Sequence, residues 1–380
     1  MDFISLLGSA WPENNFWASL MKFFDVGSYA LTVILFTVVL KLVLSPIDFL
    51  QRFYTNKTTR MQARLQPEME KLKKRYGQNQ TLLYQKQNEL YQKNNVSMKG
   101  SCTVMLVYMV VTLTVFLTFF NSLQSISGFK IKKQYEELQN TYYSSYETNY
   151  YSEYLNMTDV DAFKAKTPEE QQEELNTLKQ ALIDGGKTEV EITNYENSVI
   201  EQSQIKVVEK YSQIKDSFLW IKNIWRPDSA FVSEIPSFND FKGVSGNNTN
   251  VTEAEYNLVM DKLINNYNNS NQVNGYFILA VIVAAVSFLS QWLTKKLSQP
   301  KAKRGEVVVQ QPGSAKVLTM ILPIIMFIFA MTSNSVFSLY MITNTAITTA
   351  LTPVITSISN RIEDKKEQQR KEAIKVDYRR

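Results

Sequence analysis

Histidine is absent from the 380 residues, and cysteine occurs once, at Cys102. The first absence removes the usual general base, the Ser-His and Cys-His nucleophile pairs and the commonest metal ligand. The second removes an intramolecular disulfide and a cysteine-based zinc site, so Cys102 reads as a small packing residue at a helix start. No glycine-rich phosphate loop, GxSxG or HExxH motif occurs. Nothing marks out a carboxylate pair for acid–base work. Neither an enzyme nor a cofactor or metal is expected.

Charge is nearly balanced, with 41 Lys and Arg against 36 Asp and Glu, and the mean hydropathy is -0.21. That average mixes two kinds of segment. Crossing a hydrocarbon core of about 30 Å takes about 20 mostly apolar residues as a helix. Five stretches qualify, two of them shorter or more polar than ideal: 28–50, 104–124, 276–294, 317–332 and 336–358. The first carries Lys41 in its interior, and the second has no charge. Only Thr332 to Ser335 join the last two, which predicts an antiparallel hairpin. The expected class is all-α: a polytopic membrane protein with five transmembrane helices.

Lys and Arg near span ends are retained in the cytoplasm. The loop 51–103 holds eleven Lys and Arg and three Glu; the link 295–316 and the tail 359–380 are also basic. The segment 125–275 has fourteen Lys and Arg against 23 Asp and Glu, a net of -9. Five spans with the N-terminus outside and the C-terminus in the cytoplasm put all three basic segments on one side. Residues 1–27 lack the basic start of a cleavable signal peptide. Trp11, Phe16, Trp17, Met21, Phe23 and Phe24 suit a short amphipathic helix on the outer interface.

In the basic loop, Met61, Leu65, Met69, Leu72 and Tyr76 recur at helical spacing. Pro67 begins or kinks that helix. Gly77-Gln78-Asn79 signals a turn, and a second helix from about Thr81 to Lys93 completes a hairpin. In the acidic segment, Thr167-Pro168-Glu169-Glu170 reads as a capped helix start, and Asp184-Gly185-Gly186 separates it from a second helical pattern. The segment is expected to be largely helical.

Several ordered stretches resemble the YidC family of membrane protein insertases (the YidC/Oxa/Alb superfamily). They are Lys41-Leu-Val-Leu-Ser-Pro46 with Arg60-Met-Gln62 and Gln66-Pro67-Glu68; Lys99-Gly-Ser-Cys102; Phe218-Leu-Trp220-Ile221 with Pro227-Asp228; and Leu339-Tyr340 in the final helix pair. The departures are Lys41 where the family usually has Arg, Tyr108 for a Gln, Val110 for a Pro, and an acidic insertion of about 85 residues at roughly 128–211. The resemblance implies an insertase and chaperone of the bacterial cell membrane. Its hydrophilic, positively charged groove, open to cytoplasm and lipid, would take nascent membrane proteins. Lys41, Tyr108, Tyr340, Asn344 and Thr345 would line the groove, and Met61, Leu65, Met69 and Leu72 would form a client recruitment loop. Further partners would be the ribosome, the Sec translocon and membrane lipids; no DNA is implied.

Lys41 lies nine positions from Leu50, roughly 14 Å at ~1.5 Å per residue. That depth predicts water or a polar partner, since a cation at mid-membrane costs about 2.5–3.5 kcal/mol on insertion scales. The alternative is a side chain that snorkels to the interface. Thr345, Thr348 and Thr352 share one face and either line the groove or bond their own backbone. The loop is either a client lid or topogenic charge. The tail 359–380 is either solvated or draws RNA or anionic lipid. A rival reading is a transporter or channel for a small anion using Lys41; it calls for polar lining through the full depth and usually internal repeats. A third is a scaffold that displays the acidic segment.

Overall fold

The computed structural model describes residues 11–12, 14–93, 98–245, 250–268, 273–298 and 313–377. They form two compact units, one within Met1–Ser19 and Leu123–Phe277, the other within Leu20–Ser122 and Ile278–Arg380. We call these the acidic and the membrane unit. Among the described residues the structure is helical, with isolated β-bridges but no strand.

The first helices are α1 (Phe16–Lys22), α2 (Tyr29–Tyr76), α3 (Gln80–Lys93) and α4 (Met98–Tyr146). α1 buries Ala18 and Met21 and leaves Phe16 exposed, as its amphipathic pattern requires. α2 does not stop at either proline. Pro46 has no N–H for the Leu42 carbonyl, but the Ser45 hydroxyl donates to that oxygen at 2.7 Å. Pro67 likewise lies inside the helix, so it neither begins the loop helix nor ends the span. Beyond it the chain turns at Gly77-Gln78 and α3 folds back against α2. Leu65 is buried there and Met61, Met69, Leu72 and Tyr76 are half-buried, the face that the spacing predicts.

The membrane unit is completed by α10 (Ile278–Ser298), α11 (Gly313–Thr332) and α12 (Ser335–Asp377). Among the described residues three helical stretches are long and apolar enough to cross a membrane, Tyr29–Met61, Thr103–Tyr154 and Ile278–Leu297; Ile321–Thr332 is a shorter apolar one. α12 packs against α2 and α10, and α10 against α11. The α11–α12 link is tight. The Asn334 side chain accepts from the Phe337 backbone at 2.9 Å, and the Ser338 hydroxyl reaches the Ala330 carbonyl at 3.2 Å. α12 runs on through residues 359–377, so the expected separate tail is a continuation of the same helix.

One aromatic cluster ties the unit together. Phe119 of α4 packs on Phe36 of α2 at 5.7 Å and on Tyr340 of α12 at 4.6 Å. Phe120 meets Phe329 and Phe337 at 5.1 and 4.7 Å. Other faces of α4, α10 and α11 leave Met105, Val110, Leu113, Phe288, Ile324 and Ile328 exposed, the surface a helix presents to hydrocarbon.

The acidic unit combines the end of α4 with α5 (Val160–Lys164), α6 (Pro168–Asp184), α7 (Glu189–Ile214), α8 (Phe238–Ser245) and α9 (Glu253–Asn268). Ile131, Tyr135, Leu138 and Tyr142 of α4 are buried at helical spacing, as are Val199, Val207 and Tyr211 of α7. Thr167 and Thr188 each form a capping box, with Glu170 and Glu191, at the two helix starts. A π-helical turn, Glu147–Tyr154, widens the end of α4 and stacks Tyr154 on Tyr195 at 3.8 Å. Burial alone would raise the Glu196 carboxyl, but donors from Lys179, Tyr150 and Tyr146 hold it below the ordinary value.

Candidate functional site

Lys41 lies on the apolar part of α2, and Asp48 is seven residues on. Two helical turns bring both side chains back to one face. Their Nζ and Oδ2 atoms are 2.8 Å apart, with the side chains only 8% and 6% exposed. The pairing answers the depth argument directly, because a buried cation needs a partner and has found one on its own helix. The Asp48 carboxylate also takes the hydroxyl of Tyr108 from α4, and Arg52, one turn further along α2, acts on both groups. Lys41 is therefore not the single charge of this region. The row Lys41, Asp48, Arg52 carries one net positive charge, and Asn56 continues it one turn on.

α12 presents a matching row: Thr345, Thr348, Thr352, Thr356, Ser359 and Glu363 recur every three or four residues. α2 and α12 run in the same direction. Phe36 and Tyr340 flank one Phe119 ring, and twenty-four residues further along each helix Arg60 pairs with Asp364 at 2.9 Å. That register sets Lys41 about level with Thr345 and Asp48 about level with Thr352. Thr352 and Thr356 are buried, and Ser287 is buried on α10. Buried atoms of Asn56, Gln291, Ser359 and Glu363 have no hydrogen-bond partner among the described residues. Such atoms are rare in a packed core.

The five groove residues expected from the sequence are not equivalent in the structure. Lys41 and Tyr108 meet at Asp48. Asn344 and Thr345 are half-buried on α12. Tyr340 is 4% exposed in the aromatic cluster, where its ring packs against Phe119 and Phe337. The hydroxyls of Thr348, Thr349 and Thr352 donate to their own backbone, each at 2.7 Å, which is the plainer of the two readings. Met61, Leu65, Met69 and Leu72 face inward along the α2–α3 hairpin. The side chain of Cys102 lies outside the described residues. Sequence reasoning missed Asp48, Arg52 and Asn56, although their spacing from Lys41 (seven, then four, then four) was the available signal.

No group of His, Cys, Asp or Glu able to hold a metal ion occurs among the described residues. The polar row is built for hydrogen bonding and charge pairing.

The sequence matches the family model described as 60Kd inner membrane protein over residues 20–176 and 202–365. Inside the acidic segment the match breaks at 177–201, within the α6–α7 pair. Curated relatives carry the name membrane protein insertase YidC. The protein of Fusobacterium nucleatum subsp. nucleatum is 31% identical over 91 residues, 24% of this chain and 42% of that protein. That of Clostridium perfringens is 33% identical over 117 residues, 30% and 47% of the two chains. That of Clostridium tetani is 31% identical over 101 residues, 27% and 44%. The chain thus spans less than half the length of these relatives. No solved structure matches it.

The ion pair makes a stability prediction. Lys41→Leu leaves Asp48 buried without its ammonium, a loss on the order of 3–5 kcal/mol. Adding Asp48→Leu should recover most of it. Thermal unfolding of the purified protein in detergent checks this; losses that add in the double variant would show that the two side chains do not depend on each other.

Proposed function

Because this chain belongs to the 60Kd inner membrane protein family, we propose that it is a membrane protein insertase that inserts nascent membrane proteins and assists their folding. It would act in a bacterial cell membrane with five spans. The N-terminus and acidic unit would lie outside, and the basic segments 51–103, 295–316 and 359–380 in the cytoplasm. The observation that carries the reading is the paired polar rows of α2 and α12 around Lys41 and Asp48, with hydrogen-bonding atoms left over.

The mechanism follows from desolvation. A polar segment entering hydrocarbon loses its hydrogen bonds to water, at several kcal/mol per unsatisfied group. The two rows offer replacements part-way across, while the exposed apolar faces of α4, α10 and α11 let the client's apolar part move into lipid. An acidic client group exchanges with Asp48 as the partner of Lys41, and Asp48 keeps Tyr108 and Arg52 as neighbours. Lys41 is thus held ready in a neutral pair until an anion arrives. The α2–α3 hairpin, held together by the apolar face centred on Leu65, recruits clients at the entrance. The ribosome and the Sec translocon fit as partners that deliver clients, and the basic end of α12 suits RNA or anionic lipid. The aromatic cluster of Phe36, Phe119 and Tyr340 interrupts the polar row one turn before Lys41. This supports an insertase over an anion channel, which needs polar lining along its whole path.

Two measurements test the proposal. For orientation, single cysteines at Val190 and Gln80, both exposed, are placed in a Cys102→Ser background and treated on intact cells with an impermeant thiol reagent. Val190→Cys should label and Gln80→Cys should not; the reverse pattern would overturn the five-span arrangement. For mechanism, two clients differing only in the charge of the translocated segment are compared by protease accessibility in an insertase-depleted strain. Lys41→Gln should lower insertion of the acidic client several-fold and the neutral one little, with Lys41→Arg retaining both. Equal loss of both clients, at normal protein abundance, would reduce Lys41 to a structural partner of Asp48.

A further inference from the structure

The stretch 218–237 of the acidic unit has no regular secondary structure, yet long-range bonds fix it firmly. Asn274, fully buried, accepts from the Asn223 backbone at 2.8 Å and donates to the Asn223 and Pro227 carbonyls at 2.9 and 2.8 Å. Asp228, also fully buried, accepts from the Tyr276 backbone at 2.7 Å and from the Trp220 indole at 3.3 Å. A β-carbon on Gly275 would lie 1.8 Å from an Asp228 carboxylate oxygen, so only glycine fits beside this clamp. The clamp binds two loops, around Trp220 and Phe231, to residues 274–277.

What the clamp holds out is apolar. Phe231 is 87% exposed, Leu219 73% and Tyr276 57%. Phe231 packs on Phe277 at 5.2 Å, and both Leu219 and Phe277 adopt positive φ, 55° and 63°. Left-handed backbone costs an L-residue roughly 1–2 kcal/mol, which the exposed side chain of Leu219 does not offset in water. Covalent connection identifies the environment of these residues. Phe277 is bonded to Ile278, the first residue of a helix apolar enough to cross a membrane. One Cα step is about 3.8 Å, so Phe277 lies at the boundary between headgroups and hydrocarbon, and the ring contact carries Phe231 to the same level.

We propose that Leu219, Trp220, Phe231, Tyr276 and Phe277 form a preformed lipid anchor that inserts into the bilayer interface at the entrance of α10. The amphipathic rings of Trp220 and Tyr276 suit the headgroup region, with Leu219 and Phe231 reaching the upper acyl chains. The occupant is lipid. The anchor requires only that α10 crosses the membrane, so it stands or falls separately from the insertase reading.

The test uses the full chain in a Cys102→Ser background, reconstituted in phosphatidylcholine vesicles. Single cysteines at Phe231, Leu219, Ala230 and Val190 carry an environment-sensitive fluorophore. The Ala230→Cys variant keeps all five anchor residues, and Val190 is an exposed apolar residue on α7 that serves as the aqueous reference. Emission at the first three sites should be blue-shifted, and lipids spin-labelled high on the acyl chain should quench it several-fold more than at Val190. Aqueous iodide should show the opposite preference. Water-like emission with equal iodide access at all four sites would overturn the proposal. So would shielding that occurs in native membranes but not in pure lipid vesicles, which would assign the patch to a protein partner.

Discussion

A lysine inside an apolar helix has to be neutralised or hydrated, and the membrane unit is arranged around how Lys41 meets that demand. Asp48 is placed two turns along, so the pair closes within one helix and does not depend on docking another chain segment. Tyr108 then crosses from α4 to the same carboxylate. The ion pair is a modest source of stability, because burying two charges costs nearly what their attraction returns. Its consequence is organisational. It puts a strong donor and a strong acceptor next to each other where the surrounding helix offers neither, and the Thr and Ser row of α12 runs beside it.

Packing elsewhere in the unit leaves this region free to stay polar. The aromatic cluster of Phe36, Phe119, Phe120, Phe329, Phe337 and Tyr340 gathers α2, α4, α11 and α12 at one end of the bundle. Rings supply large contact areas with specific edge and face geometry, so a few of them fix four helices. Below the cluster α4 is largely exposed, and its contact near Lys41 is polar. A bundle closed by aromatics at one end and lined by polar rows beyond is the physical basis of the proposed path for clients.

Much of this was legible in the sequence. Apolar runs marked the three helical stretches long and apolar enough to cross a membrane, the Met61 to Tyr76 spacing marked the hairpin face, and Thr167 and Asp184-Gly185-Gly186 marked helix boundaries of the acidic segment. Membership of the family followed from ordered motifs, each weak alone. Three features were hidden for identifiable reasons. Asp48 sits near the conventional end of a span, so its charge reads as interfacial until the helix is seen to run on to Tyr76. The shift from apolar to charged residues near Arg361 does not end α12, which made 359–380 look like a separate tail. The clamp at Asp228 and Asn274 joins residues about fifty positions apart through single hydrogen bonds, and no local pattern encodes that.

The central claim is that client segments pass along the polar rows of α2 and α12. Site-specific photocrosslinking to a ribosome-stalled membrane protein tests it most directly, with the crosslinker at Thr345, level with Lys41, or at Ile324, on the exposed apolar face of α11. The account predicts that the polar translocated part of the client crosslinks from Thr345, and that only its apolar part does so from Ile324. Crosslinks to the polar part from Ile324 but not from Thr345 would contradict it.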